Sequence, residues 1–340
     1  MLQTSSTTPV QPLSDFMVVV LEGAFAASVA ATLGILGAAR KLAPRLGVPV
    51  PTWRLASVPD GPVALQDGMS VDTGRLAQEP GAGHSVWIVP GLGLDSPKAV
   101  QSRLARDDAK AAAESLRLHA QAGGAVAASC SGVFLLQAAG LLAGRRATTA
   151  WWLAPELQRL APRCRVDADR MVCADGPVVT AGAAFAQADL MLHLLRTLSG
   201  NAMVDAISRA LLIDGRQAQA PFIVPEAFAS GNHLIGRLAA RMEAALPDLP
   251  TVGELAREFC MSERTLARHV KRATGKGPLA LLQSVRQRRA RALLESSRMT
   301  VEQVASAVGY QDATALRRLM LRVAGASPSR FRPASAAATP

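Results

Sequence analysis

The sequence predicts two parts in one chain: an α/β domain on a mostly parallel sheet, then an all-α domain of two tandem helix-turn-helix units. Three observations predict it. From Phe16 to about Leu198, short apolar runs alternate with Ala- and Leu-rich stretches, the rhythm of an open sheet covered on both faces. Near the C-terminus a helix-turn-helix pattern occurs twice, with Thr251 and Thr300 49 positions apart and Leu266 and Leu316 50 apart, so the second copy carries one extra turn residue. Charge is uneven as well. Of a net charge of +11, the span Asp248 to Arg332 holds 16 Lys and Arg against 7 Asp and Glu, so a basic quarter sits beside a nearly neutral remainder. That is the footprint of a polyanion-binding module attached to something else.

Taken in order, residues 1–14 are polar and proline-bearing, and disorder is expected there. Met17 to Ala39 carries a single charge, Glu22, and is long enough to span a bilayer. A central carboxylate opposes insertion, and the run divides into a β-rich piece (Met17 to Leu21), a turn at Gly23 and an Ala-rich helix capped near Ser28. A buried first strand and helix is therefore expected, with no membrane span. Further strands are expected at 53–58, 85–89, 125–128, 147–149 and in a hairpin (172–173 with 178–180) around Asp175-Gly176. Helices are expected at 26–42, 107–121, 132–139, 155–160, 187–198, 202–212 and 233–246. The resulting division is a first domain at 15–213, a linker at 214–232, a helical domain at 233–332 and a disordered tail at 333–340. Cys130, Cys164, Cys173 and Cys260 lack metal-ligand spacing, so no metal site or disulfide framework is expected, and a reducing cytoplasm fits.

In the basic quarter, Leu255, Ala256, Met261, Leu266 and Val270 have the spacing of a small core, and Val301, Val304, Val308, Leu316 and Met320 repeat it. Ser262 and Asp312 are suited to cap the second helix of each unit. Helical spacing then exposes Arg264, Thr265, Arg268 and Lys271 on the first reading helix, and Gln311, Thr314, Arg317 and Arg318 on and beside the second. Arginines so placed can read guanine edges in the major groove of double-stranded DNA. Between the units a helix is expected over 279–295, with Leu279, Leu282, Val285, Ala290, Leu293 and Leu294 inward and Arg286, Arg288, Arg289 and Arg291 outward. Some of these arginines could hold phosphates.

Residues from about 233 to 332 resemble the DNA-binding domain of AraC/XylS-family transcription regulators, including the closing runs Val308-Gly309-Tyr310-Gln311-Asp312 and Gly325-Ala326-Ser327-Pro328-Ser329-Arg330-Phe331-Arg332. At Ala315-Leu316-Arg317 the sequence departs from the family's common pattern, in which many members carry an aromatic residue.

In the first domain, Ala125-Val126-Ala127-Ala128-Ser129-Cys130-Ser131-Gly132 reads as strand, sharp turn and helix. That geometry can raise a nucleophilic cysteine to a helix N-terminus, and it is equally a place for a small buried residue. The surrounding Cys130-Ser131-Gly132-Val133-Phe134-Leu135-Leu136, the run Ala139 to Thr149, and Thr180-Ala181-Gly182 resemble the PfpI-like, class I glutamine-amidotransferase-like domain. The resemblance implies a flavodoxin-like sheet. Joined to the AraC-type end, the whole chain resembles a GlxA-family regulator. In catalytic relatives a His lies about twenty residues after the Cys, whereas here Ala150 stands there, followed by Trp151 and Trp152. A nucleophile needs a base within reach, so a non-catalytic sensor without a cofactor is expected, the alternative being a Cys130-dependent hydrolase or amidase with a basic DNA-binding tail.

At the carboxyl edge of the sheet, Glu22, Gly91, Leu92, Cys130, Ser131 and Trp151 would converge on an effector pocket. A Glu beside an indole suits a cation such as an amino acid or amine; Glu22 and the two indoles could equally be a satisfied carboxylate and plain core. The resemblance also implies an operator or promoter duplex as partner, RNA polymerase as a further partner, and a homodimer.

Overall fold

The computed structural model of the chain describes residues 15–76, 85–213, 219, 233–274, 277–324 and 327–331. The segments expected to be disordered (1–14 and 333–340), and all of the linker 214–232 except Gln219, lie outside the described residues.

The first part is an eight-stranded, mostly parallel sheet. In chain order its elements are β1 (Asp15–Val19), α1 (Ala26–Leu46), β2 (Thr52–Ser57), β3 (Gly61–Ala64), β4 (Ser70–Arg75), β5 (Ser85–Val89), α2 (Pro97–Leu104) and α3 (Asp107–Gln121). There follow β6 (Ala125–Ser129), α4 (Val133–Ala138), β7 (Arg146–Ala147), α5 (Ala154–Leu160), β8 (Arg165–Val166), β9 (Val172–Asp175), β10 (Val178–Ala181), α6 (Ala186–Ser199) and α7 (Asn201–Leu211). Strand order is β3-β4-β2-β1-β5-β6-β10-β9, with β3 and β9 antiparallel to their neighbours, while β7 and β8 pair separately. Parallel strands buried on both faces must be apolar on both sides, and neighbours along β1 and β5 divide accordingly. Met17, Trp87 and Val89 pack with α3 and α4, whereas Phe16, Val86 and Ile88 pack with α1, α6 and α7. The apolar stretch that resembled a membrane span by length is thus β1 and α1, and Val29, Ile35, Leu36 and Ala39 of α1 are buried in the protein.

Three expectations need correction. The sequence reading missed the β3–β4 edge pair and α2. β3 (Gly-Pro-Val-Ala) is only four residues and is broken by Pro62, which is tolerated because β3 lies at the sheet edge, while β4 is largely polar. The cap of α1 is Phe25 rather than Ser28, whose buried hydroxyl donates to the Ala184 carbonyl at 3.1 Å. Finally, Leu279 is exposed and Leu281 takes its place in the core, because the rotation of that helix puts Leu281, Leu282 and Val285 on one side.

The helical part comprises α8 (His233–Ala244), α9 (Val252–Glu258), α10 (Glu263–Thr274), α11 (Pro278–Ser296), α12 (Val301–Ala307) and α13 (Ala313–Ala324). Its two small cores are those anticipated, one around Leu255, Leu266 and Val270, the other around Val304, Val308, Leu316 and Met320. The middle helix α11 contributes to both through Leu281 and Val285, then Ala290 and Leu294. It therefore holds the two units at a set separation.

Candidate DNA-reading face and effector pocket

Each helix-turn-helix unit is built by matching local chemistry. Thr251 and Thr300 begin α9 and α12 with full capping boxes, in which Thr accepts from the third amide and Glu254 or Gln303 accepts from the Thr amide. The turns that follow place Cys260 and Gly309 in the left-handed region at φ +54° and +80°. At Gly309 a side chain would also collide with the Pro247 carbonyl, so both backbone angle and space select glycine there. Ser262 Oγ then accepts from the Thr265 amide at 3.2 Å, and Asp312 Oδ1 from the Ala315 amide at 2.8 Å. The amide of Ala315 holds the Asp312 carboxyl below its ordinary value, as expected for an anion at a helix start.

Arg264, Arg268, Gln311, Thr314, Arg317 and Arg318 are exposed on or beside α10 and α13, with Ser262 and Asp312 at the caps and Thr265 half-buried. Arg317 reaches Glu302 of α12 at 3.5 Å. Lys271 needs correction: it is exposed, but it lines a cleft of about 510 Å³ whose other wall is Pro155, Gln158, Asp167 and Asp169 of the first part. That end of α10 rests against α5, so Lys271 does not share the open face of Arg264 and Arg268. On α11, Arg288 pairs with Glu243 at 2.7 Å, Arg291 with Glu295 at 2.6 Å, and Arg286 stacks 4.8 Å from the Tyr310 ring. Of the four arginines of the expected outer face, Arg289 is the most open.

In the first part, Cys130 sits at the end of β6 with φ +51°, the sharp strand-to-helix turn that presents a side chain at a sheet edge. Gly132 makes the turn possible, since a Cβ there would lie 2.5 Å from the Pro90 carbonyl. The surroundings nevertheless disfavour the thiolate. Burial pushes its pKa up to about 11, leaving almost no thiolate near neutrality. Its amide donates to the Gly182 carbonyl at 2.7 Å, which ties the elbow to the end of β10. Ala150 is fully buried, Thr149 Oγ1 donates to the Cys130 carbonyl at 2.6 Å, and no described histidine lines the cavity beside the thiol.

That cavity has a volume of about 490 Å³. Cys130 and Trp151 line it as anticipated, joined by Trp152, Phe25, Phe185 and Asp95. Gly91, Leu92 and Ser131 stand one layer behind: Ser131 Oγ accepts from the Leu92 amide at 3.0 Å, and a Cβ at Gly91 would lie 3.4 Å from Cys130 Cβ. Glu22 is a correction. Its carboxylate lies outside the pocket, exposed and bonded to Arg106, because the chain turns away from the strand end at Gly23. The acid beside the indoles is instead Asp95, exposed at the rim and bonded to no described residue. Sequence reasoning missed Asp95, Phe25 and Phe185. Gly91-Leu92-Gly93-Leu94-Asp95, following a buried strand, was the available signal for the first.

Comparisons with known proteins agree with the two-part fold. A helix-turn-helix domain family matches residues 255–334 and the DJ-1/PfpI family matches residues 37–197. The transcriptional regulator CdhR of Pseudomonas aeruginosa is 27% identical over 82% of this chain and 81% of its own length. GlxA of Rhizobium meliloti is 27% identical over 80% of this chain and 82% of its own. Among solved structures, an AraC family regulator from Pseudomonas putida superposes with a TM-score of 0.50 at 19% identity, covering 58% of this chain and 98% of that one, which speaks for the fold. The chain thus joins a DJ-1/PfpI-type sheet domain to paired helix-turn-helix units and is similar along four fifths of its length to the transcriptional regulators CdhR and GlxA.

Proposed function

We propose that the protein recognises an operator or promoter duplex through residues 233–332 and is controlled by a small molecule held in a non-catalytic domain at 15–213, with 214–232 as connector. The observation that carries this is the contrast between the two candidate sites. Arg264, Arg268 and Arg318 are exposed on helices capped by Ser262 and Asp312, whereas Cys130 is buried and protonated with Ala150 where a base would be needed. Ser262, Thr265, Gln311, Asp312, Thr314 and Arg317 complete the reading surface. The effector is a small cation, an amino acid or an amine: four aromatic rings and the Asp95 carboxylate bound the mouth of the cavity, and ring faces with one carboxylate attract positive charge. Action as a cytoplasmic homodimer, with RNA polymerase as a further partner, completes the reading. A Cys130-dependent hydrolase is disfavoured by the raised thiol pKa.

Genome-wide immunoprecipitation of bound DNA, with and without candidate amines, tests this directly. One recurring sequence motif, with occupancy shifted by one amine, is expected. Uniform coverage without a motif would overturn it.

A further inference from the structure

Gln219 belongs by sequence to the connector, yet its side chain is inserted into the first domain, where only 2% of the residue is exposed. The carboxamide is held as a ligand would be. Its oxygen accepts from the Ala183 amide at 2.9 Å. Its nitrogen lies 2.9 Å from the Thr149 carbonyl, 3.1 Å from the Arg170 carbonyl, 3.1 Å from Thr148 Oγ1 and 3.3 Å from the Ala168 carbonyl. One amide donor therefore faces the oxygen, and a ring of acceptors faces the nitrogen. A carboxylate would meet those acceptors with lone pairs, so the pattern selects a neutral primary amide. Space is reserved for it too. Gly182 carries no side chain, and a Cβ there would lie 2.1 Å from Gln219 Cδ.

The same side chain faces two ways. It forms part of the wall of the cavity that contains Cys130, Trp151 and Asp95. It also binds the loop at 168–170, and its own amide donates to the Asp169 carbonyl at 2.8 Å. Residues 167–169 of that loop line the cleft against Lys271 and Thr274 of the first reading helix.

We propose that this subsite is a primary-carboxamide receptor filled by the chain's own Gln219, and that an amide-bearing effector binds it by displacing the Gln219 side chain. The proposal rests on the effector reading above and deepens it: the mouth takes positive charge and the inner end takes a carboxamide. An effector can shift this equilibrium only by binding the displaced state better, which competition for one set of hydrogen bonds guarantees.

The test uses the full-length chain and chemical rescue. In Gln219→Ala the missing group beyond Cβ is acetamide, and acetate is its charged isostere. Hydrogen exchange is read at the Ala183 amide. Exchange there is expected to be slow in the native chain and at least about tenfold faster in Gln219→Ala, since that amide loses its acceptor. Adding roughly 50 mM acetamide, a concentration suited to so small a fragment, should slow it at least about threefold, and acetate should not. Gly182→Ala, which evicts the carboxamide without altering it, should speed exchange similarly and covers the case in which Gln219→Ala does not fold. Rapid exchange in the native chain, or equal protection by acetate and acetamide, would overturn the proposal. Either result leaves the cation-binding mouth standing, because that reading depends on Asp95 and the rings.

Discussion

The Thr149 hydroxyl donates a 2.6 Å hydrogen bond to the main-chain carbonyl of Cys130. This bond ties the segment carrying Ala150, Trp151 and Trp152 to the elbow, and Cys130, Trp151 and Trp152 line one cavity there. The fold keeps the strand–turn–helix geometry and uses it to shape a cavity.

Cys130 should accordingly be among the least reactive thiols in the chain. With its pKa near 11, its thiolate fraction at pH 8 is on the order of a hundredfold below that of a free cysteine. Cys260 is exposed, and peptide mapping after brief iodoacetamide treatment should find it modified first. The sign of the pH effect follows from burial. A thiol whose folded pKa is raised contributes stability that is present below the unfolded value and is lost as pH rises from about 9 towards 11. Thermal melts of Cys130→Ser should lack part of the alkaline loss seen in the native chain. Preferential labelling of Cys130 at neutral pH would contradict this account.

The two capping boxes set a quantitative expectation. Each satisfies amide groups that the helix start would otherwise leave without partners. Thr251→Ala and Thr300→Ala should each cost about 1 kcal/mol, read as lower denaturant midpoints of the full chain. Their effects should add, because α9 and α12 belong to separate cores. A loss well beyond the sum would mean that the two units fold as one.

The caps at Ser262 and Asp312 were legible in the sequence, as were the sheet rhythm, the elbow and the small cores, because each is set by local spacing. What escaped was non-local. Glu22 follows a buried strand, and nothing local reveals that Arg106, 84 positions away, draws its carboxylate outward. Gln219 lies in a stretch without periodicity, and its burial depends on acceptors from Thr149 and Arg170. Lys271 has the helical spacing of a reading residue, but the neighbouring domain occupies its side of α10.

At the cavity mouth, Asp95 should govern cation affinity. Tetramethylammonium is a suitable probe, followed by the emission of Trp151 and Trp152, which line the same cavity. Asp95→Asn should weaken binding about threefold to tenfold, a modest effect because the exposed carboxylate is screened. Trp152→Ala should weaken it further by removing a ring face. Glu22→Gln should leave affinity unchanged, since Glu22 lies outside the lining. Equal losses from Asp95→Asn and Glu22→Gln would point to a general surface-charge effect.

On the reading helices, position on the helix should separate specificity from simple attraction. Arg268 and Arg318 are exposed on α10 and α13 beyond their capped starts, where a bidentate contact to guanine is worth about 1–3 kcal/mol. Replacing either by Ala should relax preference at one base position of a selected duplex while leaving the others unchanged. Lys271 faces Asp167 and Asp169 across the interdomain cleft. Its removal should therefore leave base preference unchanged and cost duplex binding little. Selection from a randomised duplex pool by the full-length variants measures both outcomes. A change of base preference in Lys271→Ala, together with uniform loss in Arg268→Ala, would reverse the assignment, because it would place the cleft side of α10 in the groove.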